Sequence, residues 1–276
     1  MRATRRRGAP IDPARIAEWE GRFRFYRASP GKAEIETWLS LFKAEHQDLA
    51  ARVLDCVEVI SEPTIQEGYK EALGSIAGWD KKVGTREGRW VFTGFGKVSE
   101  SGWAMLRIFR EANGLTASKY DGLFRHTPEI PSLQLTAEDT IVVVDDFSGT
   151  GRQICQRWPQ LMELIASEAR CYIVLTAATA SAIAAIEEAT ELKVITKEII
   201  EKNENVFSDR STRFNDDDKA TLLHYGKLAD AKNPKGFNDC GLLYVLSHKT
   251  PNNTIPILHT NHPRWVGLFP RNLQQD

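Results

Sequence analysis

Apolar residues recur along this chain at two different spacings. Between residues 29 and 63 they recur every three or four positions, which predicts helices; Ser-Pro-Gly at residues 29–31 marks a helix start, and the pattern breaks near residues 45–48. Elsewhere they form short runs that are typical of strands. The clearest is the continuous β-branched run at residues 141–144; others lie at 90–95, 171–175 and 242–246, and residues 193–199 have alternating character.

Helical patterns separate the strand-like runs. They begin at Ser101, after Gly151, at Ser181 and at Asp216. Strands that alternate with helices favour a parallel sheet joined by right-handed crossovers. We therefore predict an α/β fold, with an N-terminal helical layer at residues 1–75 and an α/β domain with a parallel-sheet core at residues 76–276.

The stretch from residue 115 to residue 138 has little periodicity. It contains one glycine and two prolines, so we expect a long excursion of the chain rather than a core element. Long loops of this kind are often lids or binding loops. Arg125 and His126 within it are either groups that close over a bound phosphate or ordinary surface residues.

Composition narrows the classes of ligand and compartment. The 276 residues carry 36 Lys and Arg against 37 Asp and Glu, a net charge of −1, so any anion site must be local. The four cysteines are far apart and form no CxxC, which argues against a zinc ribbon or a disulfide framework. Without a membrane-length apolar run or a secretory signal, we expect a cytoplasmic protein with no membrane partner.

The start of the chain is the exception to this charge balance. Residues 1–27 hold eight Arg and three acids. The segment is either a solvated tail or an arm that contacts nucleic acid.

One segment combines groups that suit a sugar phosphate. The strand-like run ends in Asp145 and Asp146 and turns through Ser148-Gly149-Thr150-Gly151 into a helix. Such a turn can close around a phosphate at a helix N-terminus, and the carboxylates can accept hydrogen bonds from vicinal hydroxyls. P-loop and dinucleotide-binding fingerprints both fit poorly. The alternative is an ordinary glycine-containing turn after an acidic strand end.

The sequence VVVDDFSGTG resembles the phosphoribosyl pyrophosphate (PRPP) loop of type I phosphoribosyltransferases. The resemblance implies that Asp145 and Asp146 hold the ribose hydroxyls and that the residues after them, Phe147, Ser148, Gly149, Thr150 and Gly151, bind the 5′-phosphate. It also implies a C-terminal hood-like segment. Two positions depart from the pattern: Gly149 stands where a larger residue is usual, and Gln153 stands where a small hydroxyl residue is customary.

The resemblance extends upstream of this loop. A strand, a loop with Lys97, and a helix opening at Ser101-Gly102 follow the order in which these enzymes place a pyrophosphate loop. Lys97 is then a catalytic group that binds the pyrophosphate together with the N–H groups of Ser101 and Gly102, or else a solvated lysine. Mg²⁺ would be held mainly by ligand oxygens, with Asp145 or Asp146 contributing directly or through water.

Most of the chain is similar to one branch: the phosphoribosyltransferase-like effectors of bacterial conflict and anti-phage systems, some encoded beside reverse transcriptases, as in retrons, or beside ATPases. Three features carry this resemblance: an Ile-x-x-Trp-Leu-x-x-Phe pattern at residues 35–42, the DDFSGTG turn, and TPNNTIPIL at 250–258 followed by Trp265 and LFPR at 268–271. It implies a defence role and a protein partner of the ATPase or reverse transcriptase class.

Three other polar groups are candidates for binding. Asn252 and Asn253 follow a predicted strand, so they either recognise the acceptor at the same sheet edge as DDFSGTG or form turns that cap their own loop. His259 and His262 lack an acidic or Cys partner nearby, which argues against a metal site. The triplet at residues 216–218 fits the first turn of a helix better than a metal cluster.

These observations lead to two principal hypotheses. The first is an enzyme that transfers phosphoribose from PRPP to a nucleotide-type acceptor, or cleaves such a molecule. The second is a non-catalytic PRPP or nucleotide sensor that regulates a defence complex. A third, an RNA-binding regulator on the same fold, depends on the Arg-rich start of the chain.

Overall fold

A computed structural model of the protein describes residues 11–96, 100–165 and 167–271. Its helices are α1 (Pro13–Phe23), α2 (Lys32–Leu39), α3 (Gln47–Cys56), α4 (Glu62–Ser75), α5 (Ser101–Ala112), α6 (Arg152–Ile165), α7 (Ala180–Ala189) and α8 (Asp216–Ala229). Its strands are β1 (Glu58–Ile60), β2 (Trp90–Gly94), β3 (Thr140–Ser148), β4 (Arg170–Thr179), β5 (Lys193–Ile195), β6 (Glu198–Ile200), β7 (Tyr244–Leu246), β8 (Asn261–His262) and β9 (Trp265–Val266).

The chain divides into two compact units. One, the terminal unit, comprises Met1–Glu62 and Lys202–Asp276; the other, the sheet unit, comprises Pro63–Glu201. The division into domains at residues 75 and 76 stays a prediction.

The sheet unit contains the predicted parallel sheet. Its strands run in the order β2-β3-β4-β5, with β6 also paired to β4, and every pairing is parallel. The β-branched run of β3 lies at the centre, where Ile141 to Val144 are fully buried. The α/β fold class with a parallel sheet is therefore confirmed.

The strand expected at residues 193–199 is two strands. β5 pairs with residues 172–174 of β4, whereas β6 pairs with residues 177–179. Between them the Thr196 hydroxyl donates to the carbonyl oxygen of Thr176 at 3.2 Å. A side chain thus takes the place of a ladder hydrogen bond where the edge strand is interrupted.

The stretch at residues 115–138 is not the irregular excursion that the sequence predicts. It forms two 3₁₀ helices, Ser118–Leu123 and Thr127–Leu133, and its Ile130 is fully buried in the core beneath the sheet. Between the helices Phe124 bridges to Phe92 of β2 in parallel. The segment therefore covers the outer edge of β2.

The terminal unit is built from the two ends of the described chain. β1 pairs in parallel with β7 as a separate two-stranded sheet, although the sequence placed residues 58–60 within a helical pattern. The helical pattern at residues 29–56 does form helices, and their buried faces contact residues of the C-terminal segment. Members of this core include Trp19, Phe23, Ile35, Trp38, Phe42, Ile257, Trp265 and Phe269.

No helix in the described ranges is long and apolar enough to cross a membrane.

Candidate functional site

The acidic pair lies at the carboxyl end of the central strand. Asp145 and Asp146 are 6% and 8% exposed, and both belong to β3. Val144 is paired with Gly94 of β2, and Asp145 is paired with Leu175 of β4, so the pair is flanked by strands on both sides. Ligands of parallel α/β sheets bind outside this edge.

Asp145 is a buried carboxyl with few compensating donors. Its Oδ1 accepts from the Ser101 hydroxyl at 3.0 Å and from the Asp146 N–H at 2.9 Å. Burial, and then the negative charge of Asp146, raises the pKa of Asp145 well above its usual range. Within the described residues Asp145 makes no ion pair, so this carboxyl gains stability from any cation or hydroxyl donor that arrives.

The turn after the acidic pair has one defined shape. Gly151 has φ +69°, and a Cβ there would lie 3.0 Å from both the Ala182 oxygen and the Ile186 Cγ1. Its N–H donates to the Ser148 hydroxyl at 3.2 Å. Only glycine satisfies both the left-handed backbone and the close contact with α7.

Thr179, the last residue of β4, fixes the same turn from the other side. Its hydroxyl donates to the Gly149 carbonyl at 2.9 Å and accepts from the Ala182 N–H at 3.0 Å, which caps α7. The loop at residues 148–151 is therefore attached to a neighbouring strand and helix, and it begins α6. A fixed turn at a helix start suits a phosphate.

The first turn of α5 reaches the same edge because Gly102 lacks a side chain. A Cβ at Gly102 would lie 2.4 Å from the Phe95 oxygen and 2.8 Å from the Val144 oxygen. This close approach brings the Ser101 hydroxyl to Asp145. Ser101 and Gly102 thus lie beside the acidic pair, while Lys97 lies outside the described residues and its role stays a prediction.

Tyr69 is a member of the site that the sequence pattern missed. It is 1% exposed, and its hydroxyl donates to the Asp145 carbonyl at 2.9 Å and accepts from the Thr176 hydroxyl at 3.0 Å. Burial raises the pKa of Tyr69 well above 10, so the phenol stays protonated and can donate. In the sequence, Tyr69 follows the spacing of the buried residues of α4, so nothing distinguishes it from an ordinary core residue.

Arg125 and His126 lie at the carboxyl end of β2, because the Phe124–Phe92 bridge is parallel. The Arg125 N–H donates to the Phe92 carbonyl at 3.1 Å, and its guanidinium donates to the Phe124 carbonyl at 3.0 Å. The His126 ring stacks on Trp103 of α5 with centroids 4.4 Å apart. Closure of these residues over a phosphate stays a prediction.

Asn252 and Asn253 belong to the terminal unit. They follow β7, which pairs with β1 and not with the five-stranded sheet, so the reason for placing them at the edge beside DDFSGTG was wrong. Asn253 is buried, and its amide donates to the Phe237 carbonyl at 3.3 Å and to the Cys240 Sγ at 3.1 Å. These bonds close a loop within the unit, and an acceptor-binding role for either residue stays a prediction.

The residues that sequence considered as metal ligands have structural partners. His259 Nε2 lies 3.0 Å from the Thr254 carbonyl, and burial lowers the pKa of His259 to about 4. His262 Nε2 lies 3.1 Å from the Ala229 carbonyl, and the Asp218 carboxylate accepts from the N–H of Asn215, the N-cap of α8, and binds Arg52. The described ranges contain no group of three His, Cys, Asp or Glu that could hold a metal ion.

The N-terminal and C-terminal motifs pack on each other. The indole N–H groups of Trp38 and Trp265 both donate to the Ile257 carbonyl, at 2.8 and 3.0 Å. Tyr26 donates to the Pro270 carbonyl at 2.5 Å, and Thr250 donates to the Phe269 carbonyl at 2.7 Å. These residues hold the terminal unit together.

Two comparisons with known proteins gave different results. A search of curated proteins finds no match for the chain. A protein-family model described as PRTase-CE matches residues 35–271, which cover both the sheet unit and most of the terminal unit. On the strength of that match, the chain is a phosphoribosyltransferase-like protein and belongs to the PRTase-CE family.

Proposed function

We propose that the chain binds PRPP at the carboxyl end of β3 and transfers its phosphoribosyl group to a nucleotide-type acceptor. The observation that carries the proposal is the buried pair Asp145 and Asp146 followed at once by the fixed turn at residues 148–151. Carboxylates can accept hydrogen bonds from the ribose hydroxyls, and the start of α6 offers N–H groups and a positive dipole end to the 5′-phosphate. Membership of the PRTase-CE family supports the same ligand class.

The reaction would be a displacement at the anomeric carbon of PRPP. A bond forms between the acceptor nucleophile and C1, while the bond from C1 to pyrophosphate breaks and pyrophosphate leaves with the electron pair. Asp145 and Asp146 would hold the ribose, and the turn at 148–151 would hold the phosphate, so that C1 is fixed in position. Catalysis by this chain then depends on orientation and electrostatics.

The donor set fits a cation that is shared with the ligand. Two adjacent carboxyls, one with a raised pKa, would be stabilised by a positive charge, yet the described residues do not supply a third acidic, His or Cys ligand. Asp145 and Asp146 would therefore hold Mg²⁺ directly or through water, with ligand oxygens completing its coordination. The ion would neutralise charge on the departing pyrophosphate.

We extend the proposal to the biological setting. The resemblance of the N-terminal and C-terminal motifs to effectors of bacterial anti-phage systems supports a defence role, with an ATPase or a reverse transcriptase as protein partner. Those two motifs pack on each other, so the features that carry the resemblance belong to one structural unit.

Calorimetry with PRPP and Mg²⁺ tests the binding site. We expect the double variant Asp145→Asn, Asp146→Asn to lose PRPP binding. The matched control is Asp216→Asn, Asp217→Asn, which removes the same two charges from an adjacent, exposed pair at the start of α8. Unchanged affinity in the first variant, or equal loss in the control, contradicts the proposed site.

Pyrophosphate release separates transfer from sensing. The departures at Gly149 and Gln153 favour the sensor as a second candidate. Release of pyrophosphate on incubation with PRPP and nucleobases, nucleotides or RNA supports the enzyme. Tight PRPP binding without release for any of these acceptors supports a sensor, with the binding site unchanged.

A further inference from the structure

The turn after α1 is locally basic although the whole chain is nearly neutral. Residues 21–33 contain Arg22, Arg24, Arg27 and Lys32 and no Asp or Glu. Lys32 lies 3.9 Å from Glu36, whereas Arg22, Arg24 and Arg27 form no ion pair within the described residues. Positive charge without an acidic partner is thus concentrated at residues 22–27.

Packing turns this segment into an outward-facing surface. Phe23 and Tyr26 are buried, and both rings contact Phe269 edge-on, with centroids 5.0 and 5.4 Å apart. Because these two residues take the inward positions, Arg24 and Phe25 point away from the core, and Phe25 is 41% exposed. The Phe25 ring is therefore a large apolar group that lies at the surface and is not part of the core.

The two exposed cations on which this surface depends, Arg24 and Arg27, form no ion pair in the described part of the chain. The Arg24 guanidinium lies over the Phe25 ring, 4.7 Å from its centroid. The Arg27 guanidinium donates to the Arg271 carbonyl at 2.5 Å, and the Arg27 N–H donates to the Ser247 carbonyl at 2.8 Å, which fixes the turn. The result is one aromatic ring and two cations in fixed positions, and within the described residues neither cation is paired with a carboxylate.

We propose that the turn at residues 24–27 binds single-stranded nucleic acid. Such sites combine cations that follow the phosphates with flat groups on which bases stack, and a guanidinium on an aromatic ring offers such a flat group. Arg27 supplies a cation for the adjacent phosphate. A single exposed ring is too small an apolar area for insertion into a membrane surface, where an extended apolar helix face is required.

Fluorescence anisotropy with labelled oligo-U and oligo-dT at two salt concentrations tests the proposal. We expect the full chain to bind, and the double variant Arg24→Gln, Phe25→Ala to weaken binding about tenfold, the loss expected for one stacked base and one phosphate contact. Arg27→Gln should weaken binding and reduce its salt dependence. The matched control is Arg107→Gln, an exposed arginine on α5 of the sheet unit.

Two results overturn the proposal. One is absence of binding to both oligonucleotides at physiological salt. The other is that the double variant Arg24→Gln, Phe25→Ala binds the oligonucleotides as tightly as the unchanged protein. Binding that is lost only when residues 1–10 are deleted would belong to this second result. Arg24 and Phe25 are exposed and their side chains do not fix the turn, so circular dichroism should show unchanged folding of the double variant, and its lost interaction cannot be attributed to unfolding. PRPP affinity should be unaffected, which keeps this test separate from the proposed phosphoribosyl transfer.

Discussion

The two ends of strand β3 carry buried aspartates in opposite electrostatic situations. Asp139, directly before the strand, is 3% exposed, and its carboxylate accepts from the Arg89 N–H, the Thr136 N–H and the Arg89 guanidinium, each at 2.7 Å. Burial alone would raise the pKa of Asp139, but these donors together outweigh it and lower the pKa to about 2. Asp145, near the other end, has a raised pKa.

The difference separates a carboxylate whose charge the fold stabilises from one whose charge it does not. At the amino end the chain itself supplies the donors, so ionised Asp139 stabilises the fold. At the carboxyl end Asp145 accepts only from the Ser101 hydroxyl and the Asp146 N–H. These two hydrogen bonds do not offset the cost of a buried charge on Asp145 next to the charge of Asp146. Groups kept in such an unfavourable state concentrate at functional sites.

The largest expected effect is at the amino end. Asp139→Ala should lower the free energy of unfolding by about 4 kcal/mol, because it leaves two buried N–H groups and the Arg89 side chain without their acceptor. Urea denaturation followed by circular dichroism measures it. A decrease in the free energy of unfolding of less than about 1 kcal/mol would show that Asp139 does not stabilise this end of the strand. Asp139 would then not differ from Asp145 in the way described above.

The pH dependence of stability should have opposite signs at the two ends. The folded pKa of Asp139 is below its unfolded value, so its contribution, about 2.5 kcal/mol for a shift of about two pH units, is complete above pH ~5 and is lost as the pH falls toward 2. The folded pKa of Asp145 is above its unfolded value, so its ionisation lowers stability as the pH rises above ~4.

Denaturation between pH 3 and pH 7 tests both signs. Asp139→Asn should flatten the acid loss, and Asp145→Asn should remove the decrease at higher pH. Identical pH profiles for the two variants would contradict the assignment.

Asp145→Asn should have a smaller effect on stability, and in the favourable direction. The neutral amide avoids the cost of a buried charge, so we expect the free energy of unfolding to rise by about 1 kcal/mol at pH 7 while PRPP affinity falls. Thermal unfolding and calorimetry on the same variant give both values. Destabilisation together with unchanged affinity would make Asp145 a structural residue like Asp139.

The sequence predicted the parts of the molecule that depend on local patterns. The β-branched run of β3 and the glycine turn at residues 148–151 reveal a central strand and a fixed loop, because burial and backbone conformation restrict which residues are allowed there. Pairing partners are not encoded locally. From its sequence alone, β7 is therefore expected to be another strand of the main sheet, although it pairs with β1 in the terminal unit.

The same distinction holds within the site. Acidic residues next to glycines are conspicuous in a sequence, whereas Tyr69 follows the periodicity of a buried helix face and gives no sign of its hydroxyl bond to Asp145. The Trp38 and Trp265 motifs are conspicuous as well, yet their indoles serve packing, since both donate to one carbonyl. Conspicuous residues indicate constraint, and only the tertiary contacts show whether the constraint is structural or chemical.

Tyr69→Phe gives the smallest expected effect and the finest test of how the ligand end is supported. The change removes only the hydroxyl that joins Thr176 to the Asp145 backbone, so the free energy of unfolding should fall by about 1 kcal/mol. PRPP affinity should fall a few-fold, because the acidic pair loses the contact that fixes its main chain. Tyr120→Phe is the matched control, since Tyr120 is also buried in the sheet unit and its hydroxyl makes no hydrogen bond within the described part of the chain. Lost stability with full PRPP affinity would make Tyr69 a core residue and leave Ser101 as the support of Asp145.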